Sequence, residues 1–203
     1  NGKTTLKEMT AAILGQRGPV LATRGNLNNE IGVPLTLARL RDEPFAVVEM
    51  GANHAGEIDY LSRLAEPDVA VLNNAGRAHL EGFGSIEGVA RAKAEITHGL
   101  KDDGVFVFNA DDTYASLWRE LGSAHAQRTF GLDPGADVTS PVASYDIVWG
   151  DDGFRARFAV RCAEGELDVE LPLAGEHNRM NALAAIAAAL AAGATLADAQ
   201  ALR

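Results

Sequence analysis

Short apolar runs alternate along this chain with segments whose apolar positions recur every three or four residues. The runs at 20–23, 45–50, 69–73 and 105–109 predict strands, and a more polar run at 127–131 predicts a weaker fifth. Between them the spacing predicts helices over 34–40, 57–65, 86–100 and 113–121. Another is predicted ahead of them over 4–16, with Leu6, Met9, Ile13 and Leu14 on one face. Strand–helix alternation of this kind implies βαβ units, hence an α/β fold with a mostly parallel, doubly wound sheet covered by helices on both faces. After Gly135 the period changes to two. Phe154, Ala156, Phe158, Val160 and Cys162 alternate with arginines, and Leu167, Val169, Leu171 and Leu173 alternate with acidic residues. That pattern predicts an antiparallel hairpin with one wet face, a small β appendage to the main sheet. An Ala-rich helix is expected over 178–192 and the start of one more over 196–202. No internal repeat or low-complexity linker interrupts the pattern, which reads as one domain.

The first helix begins on Asn1-Gly2-Lys3-Thr4-Thr5, which matches the second half of a phosphate-binding loop, G-x-x-x-x-G-K-[ST]. In such a loop backbone N–H groups cradle phosphates, the Lys reaches the terminal phosphates and the hydroxyl holds Mg²⁺. The positive end of the helix adds to that attraction. A bare Gly-Lys-Thr-Thr also recurs by chance, so the motif gains weight only from its setting. On this reading the chain is a fragment, lacking the upstream strand and the first Gly of the loop.

Composition narrows the function classes. The 203 residues, 47% of them apolar, suffice for one substantial core. Acidic residues outnumber basic ones 28 to 18, a formal net charge of −10, and no Lys/Arg-rich run appears. Such a surface repels nucleic-acid phosphates, which excludes DNA or RNA as principal partner. Cys162 is the single cysteine, so no internal disulfide forms, and a reducing, cytoplasmic setting fits. No signal peptide is evident, and the longest apolar stretch, 182–192, is too short to span a bilayer.

In an open parallel sheet, ligands sit beyond the carboxyl ends of the strands. Glu49 falls near the end of one apolar run, and His79 falls in the loop after another. A carboxylate, an imidazole and the Thr4 hydroxyl beside phosphates suit a divalent metal. Each also has a plainer reading, Glu49 as a strand-end cap and His79 as a hydrogen-bonded loop residue. Lys93 lies within the apolar stripe Ile86, Val89, Ile96 and Leu100, whereas Glu87, Arg91 and Glu95 form a charged row on another face. Lys93 either snorkels to water or is buried, with its amine made reactive by desolvation.

Segments spread along the whole chain resemble the Mur ligases, in the same order. They are Asn1 to Thr5, the run Gly25-Asn26-Leu27-Asn28-Asn29-Glu30-Ile31-Gly32-Val33-Pro34, and Glu49-Met50-Gly51-Ala52-Asn53-His54. Beyond these come His79-Leu80-Glu81-Gly82-Phe83-Gly84-Ser85, Ala92-Lys93-Ala94-Glu95-Ile96, Asn109-Ala110-Asp111-Asp112 and Gly175-Glu176-His177-Asn178-Arg179-Met180-Asn181-Ala182. The second, third and fourth look most like the branch that adds D-alanyl-D-alanine to UDP-N-acetylmuramoyl-tripeptide in peptidoglycan synthesis.

The resemblance implies an ATP-dependent amide ligase. A carboxylate attacks the γ-phosphate of ATP to give an acyl phosphate, and an amine then displaces phosphate. By similarity Gly2, Lys3, Thr4 and Thr5 would hold the phosphates. Thr4, Glu49 and His79 would hold magnesium, and a carbamate on Lys93 would support a second magnesium. Lys3, His79 and Lys93 would be the catalytic set. His177, Asn178 and Asn181 would face the adenine, although Asn178 also reads as a helix cap. Asn28, Asn29, Asn53 and His54 would line the muramyl-peptide side. Asp111 and Asp112 read instead as shaping a strand-to-helix turn. The family also has an N-terminal UDP-sugar domain and a C-terminal closing domain, which this chain does not contain; alone, it is expected not to turn over. Sibling peptide ligases, folylpolyglutamate or cyanophycin-type ligases, and a P-loop NTPase module share the Lys3, Glu49, His79 and Lys93 set or part of it. A degenerate binding module is disfavoured, because no motif residue is altered.

Overall fold

A computed structural model describes residues 2–76, 80–150 and 153–202. Helix α1 (Lys3–Leu14) is followed by β1 (Val20–Ala22), α2 (Gly32–Leu37) and β2 (Phe45–Val47). Next come α3 (Glu57–Ala65), β3 (Val69–Leu72), a one-turn α4 (Leu80–Phe83) and α5 (Ile86–Ala94). Strand β4 (Val105–Asn109), α6 (Ala115–Leu121) and β5 (Ala126–Gly131) complete the βα alternation. The remainder holds β6 (Val138–Thr139), β7 (Asp146–Gly150), β8 (Gly153–Cys162), β9 (Gly165–Leu171) and α7 (Glu176–Ala191).

Strands β1 and β2 pair in parallel as a separate two-stranded ribbon. Strands β3, β4, β5 and β6 pair in parallel, and β8 joins β6 antiparallel, with β7 and β9 on either side of β8. The expected α/β fold with parallel strands and an antiparallel hairpin is present, and the two parts form one mixed sheet. The hairpin is continuous with it through the two-residue strand β6, too short to carry any period. Strand β7 went unseen because its residues are mostly exposed, Trp149 at 77%, and show no alternation.

Apolar alternation in β4 explains how the sheet acquires two covered faces. Val107 points into the cluster built by Leu6, Met9 and Ile13 of α1 with Leu183 and Ile186 of α7. Phe106 and Phe108 point the other way, into a cluster with Ala90 and Ala94 of α5 and Trp118 of α6. The Trp118 indole is fully buried and donates to the Ala90 carbonyl at 3.1 Å, tying α6 to α5. The Ala-rich α7 is buried on nearly every side, which its small side chains permit.

The helix expected over 86–100 ends at Ala94 and continues as a 3-10 turn over Glu95–Gly99. Close packing against α3 accounts for the break. A Cβ at Gly99 would lie 2.1 Å from the Ser62 backbone, so only glycine lets the two segments meet. The Glu95 carboxylate leaves the expected charged row to accept from the Gly56 and Asp59 N–H groups at the start of α3, while Glu87 and Arg91 do pair. The last element, expected as a new helix, is a short 3-10 turn over Asp198–Ala201.

At the other end of the sheet, α7 is anchored by Arg179, which is 3% exposed. Its guanidinium donates to the Ser140 hydroxyl and carbonyl and to the Pro141 carbonyl, and lies over the rings of Tyr145 and Phe158. The Tyr145 hydroxyl accepts from the Gly175 N–H at 2.7 Å, which fixes the entry to α7.

Replacing Trp118 by alanine should lower unfolding stability by roughly 3–5 kcal/mol, through the cavity left in the core. Urea titration followed by circular dichroism measures it; a loss under about 1 kcal/mol would contradict this packing.

Candidate functional site

Strand β2 ends at Val47, and two residues later the chain turns the Glu49 side chain inward, leaving it 6% exposed. Its carboxylate accepts from the Thr4 hydroxyl at 3.0 Å and from the Asn28 amide at 2.8 Å. Among the described residues no ion pair engages it. Hydroxyl and amide donors offset only part of the desolvation cost of a buried carboxylate. The donor set, a hydroxyl and carboxylate oxygens at a helix N-terminus, fits a hard divalent cation such as Mg²⁺.

Gly2, Lys3 and Thr4 stand at that N-terminus. Gly2 adopts a left-handed φ of 78°, and a Cβ there would lie 2.5 Å from Asn181 Oδ1, so both conformation and space require glycine. The start of α7 is therefore packed on the start of α1. Asn181, 4% exposed, accepts at Oδ1 from the Asn73 amide at 2.8 Å, which joins α7 to the end of β3. Asn73 was passed over in the sequence reading; the one available signal was a pair of asparagines closing an apolar run.

Lys93 reaches the same rim from α5. It is half-buried, and its Nζ donates to the Asn74 carbonyl at 2.6 Å. Burial, and then the neighbouring Lys3 charge, push its amine down to about 8, against a small opposing pull from Asp112. It does not snorkel, and both Lys3 and Lys93 line one cavity of about 590 Å³ with Glu49, Asn73 and Asn74.

Other expected residues are placed less centrally. His79 lies outside the described residues, and among those described no trio of His, Cys, Asp or Glu gathers into a metal cluster. Asn28 joins the rim, but the Asn29 side-chain oxygen Oδ1 accepts from the Ile31 and Gly32 N–H groups at the start of α2. Asn53 and His54 are exposed and tied to Glu57 at the start of α3, which holds the Glu57 carboxyl below its usual range. His177 is exposed beside Gly175, while Asn178 is buried and donates to the Ala174 carbonyl rather than capping α7, whose cap position is Gly175. Thr5 is half-buried within α1.

Asp112 shapes the strand-to-helix turn after β4, as expected, whereas the Asp111 carboxylate holds the loop that leaves β5. Asp111 accepts from Leu132 and Asp133 N–H groups. Asp112 accepts from Tyr114 and from Ala75, pinning the loop that leaves β3.

The Mur ligase middle domain family model matches residues 1–189. This chain belongs to the Mur ligase middle domain family. The UDP-N-acetylmuramoyl-tripeptide–D-alanyl-D-alanine ligase of Haemophilus influenzae is 46% identical over 206 residues, covering 99% of this chain and 43% of that protein. The ligase of the same name from Escherichia coli is 47% identical over 198 residues, covering 97% and 42%. Among solved structures, MurF from Acinetobacter baumannii superposes with a TM-score of 0.92 at 43% identity, covering all of this chain and 43% of that one. MurF ligase from Thermotoga maritima, solved in complex with ADP, superposes at 0.84 with 30% identity, covering 100% and 46%. The chain thus spans less than half the length of these relatives. No helix among the described residues is long and apolar enough to cross a membrane.

Within this middle domain the lowered Lys93 amine has a direct chemical consequence. An amine is nucleophilic only when neutral, so Lys93 should acylate as pH rises through about 8, well before an ordinary lysine near 10.5. Peptide-level mass spectrometry after brief acetylation across pH 6–11 reads this. Labelling of Lys93 that rises only with the exposed lysines would contradict it.

Proposed function

We propose that the chain is the central ATP-binding domain of a cytoplasmic amide ligase joining D-alanyl-D-alanine to UDP-N-acetylmuramoyl-tripeptide in peptidoglycan precursor synthesis. The observation that carries this reading is the meeting of Thr4, Glu49 and Lys93 at one rim beside the start of α1. The names and identities of its relatives supply the substrate class.

The residues divide the work. Lys3 and the N–H groups at the start of α1, with Gly2 and Thr5, would bind the ATP phosphates and offset their charge. Thr4 and Glu49 would hold the Mg²⁺ that ATP carries, with His79 contributing to a second site. Bound there, magnesium lets the substrate carboxylate and the γ-phosphate approach without repulsion and stabilises charge on the transferring phosphoryl group. The carboxylate takes the γ-phosphoryl group from ATP, and the amine of the dipeptide then displaces phosphate.

Lys93, neutral more often than an ordinary lysine, is suited to add CO₂. The resulting carbamate would turn a cation into an oxygen-bearing anion facing the same rim. Asn181 and His177, at the start of α7, would face the adenine, with Asn178 holding the turn beneath them. Asn28, Asn29, Asn53 and His54 would face the muramyl-peptide. Flanking domains of the same polypeptide would supply the UDP-sugar grip and the closure over ATP, so this domain by itself would not turn over.

On this reading the β1–β2 ribbon and the parallel strands β3 to β6 are two parts of one doubly wound P-loop sheet.

The test uses the intact ligase with ATP and one amine at a time. ADP release should depend on D-alanyl-D-alanine and not on meso-diaminopimelate, lysine or glutamate; absence of dipeptide-dependent release overturns the assignment. Lys93→Ala should lower kcat by about 10²-fold or more, with partial recovery on adding short carboxylic acids. ATPase activity untouched by that change would favour an NTPase module instead.

A further inference from the structure

Helix α1 carries a second lysine, one turn beyond Lys3, that the motif does not explain. Lys7 is 4% exposed, among the apolar residues Leu6, Met9 and Leu14. A lysine in that position ordinarily runs its stem along the apolar surface and puts its charge in water. Lys7 instead turns inward and donates to the Thr23 carbonyl at 2.6 Å, with the largely exposed Glu8 carboxylate 2.8 Å from the same ammonium. Holding a cation there carries a desolvation cost, which an apolar residue of similar shape would avoid.

Thr23 shows what the cost accomplishes. It is 2% exposed and stands just beyond β1, where all its polar groups are used. Its N–H donates to the Val47 carbonyl at the end of β2, its hydroxyl accepts from the Glu49 N–H at 2.9 Å, and its carbonyl receives Lys7. The Glu49 carboxylate returns to α1 through the Thr4 hydroxyl. These contacts close a ring: Thr4 and Lys7 on α1, then Thr23, then Glu49, then Thr4 again. Without Lys7, α1 and the Glu49 strand end are linked in this ring only through the Thr4–Glu49 contact itself, which a bound cation would replace.

We propose that Lys7 is a positioning residue which, through Thr23, holds Glu49 at a fixed separation from Thr4 and so sets the affinity of this rim for a divalent cation. The inference rests on the reading that Thr4 and Glu49 hold the metal of the nucleotide.

The experiment is a titration of the intact ligase with Mn²⁺ in the presence of ADP. Free Mn²⁺ is read by electron paramagnetic resonance, and the melting temperature of each metal-free protein is recorded alongside. Lys7→Met should weaken Mn²⁺ binding about tenfold or more, the range seen when supports behind a ligand are removed. Its melting temperature should stay well above the temperature of the titration, so that weakened binding reports the site and not unfolding. Thr23→Val should weaken Mn²⁺ in the same way and Thr23→Ser should not. If Lys7→Met fails to fold, the Thr23 pair decides. Parent-like or tighter binding by Lys7→Met, while Glu49→Gln binds weakly, overturns the role of Lys7 and leaves the metal reading standing. Parent-like binding by Glu49→Gln overturns the metal reading and the inference with it.

Discussion

The contact between the Thr4 hydroxyl and the Glu49 carboxylate is the constraint around which this domain is organised. It places a buried anion directly at the positive end of a helix that also bears Lys3. Taking a carboxylate out of water is expensive, and two neutral donors recover only part of the cost. A fold selected for stability alone would put an apolar residue at this strand end. Under the proposed function a cation and phosphate would balance that charge.

The architecture brings distant segments to that point by a simple rule of open sheets. Strand ends on one edge release the chain into loops, and helices return it to the other edge. Glu49 follows β2, Asn73 and Asn74 follow β3, and the helices α1, α5 and α7 deliver Lys3, Lys93 and Asn181 from the two covered faces. The tight meeting of Gly2 with Asn181 links the start of α1 to α7, whose far side is held by Arg179 against the antiparallel strands. The antiparallel part of the mixed sheet is thus mechanically connected to the site, although none of its described residues lines the cavity.

Much of this was legible in the sequence because the signals were local. Residues 57–65 and 105–109 carry strong patterns and form α3 and β4 over those spans. Glu49 stood out as an acid at the end of an apolar run, and Lys93 as a cation on an apolar stripe. The features that escaped depend on contacts between remote segments. The change from α-helix to 3-10 turn at Glu95 follows from the approach of Gly99 to Ser62, some thirty-seven positions away in the chain. The Asn73–Asn181 bond spans 108 positions, and no periodicity announces it. Strands β6 and β7 were hidden by shortness and exposure, which is why the sheet was expected to be more uniformly parallel than it is. The turn aspartate Asp112 behaved as its local chemistry indicated.

The most direct test of the organising contact is a crystal structure of the intact ligase with ADP and Mn²⁺, the metal located by its anomalous signal. The account predicts a Mn²⁺ peak bound to the Thr4 hydroxyl and close to Glu49, with the nucleotide phosphates over the start of α1. A metal and nucleotide bound elsewhere, with the Thr4–Glu49 hydrogen bond intact, would contradict it.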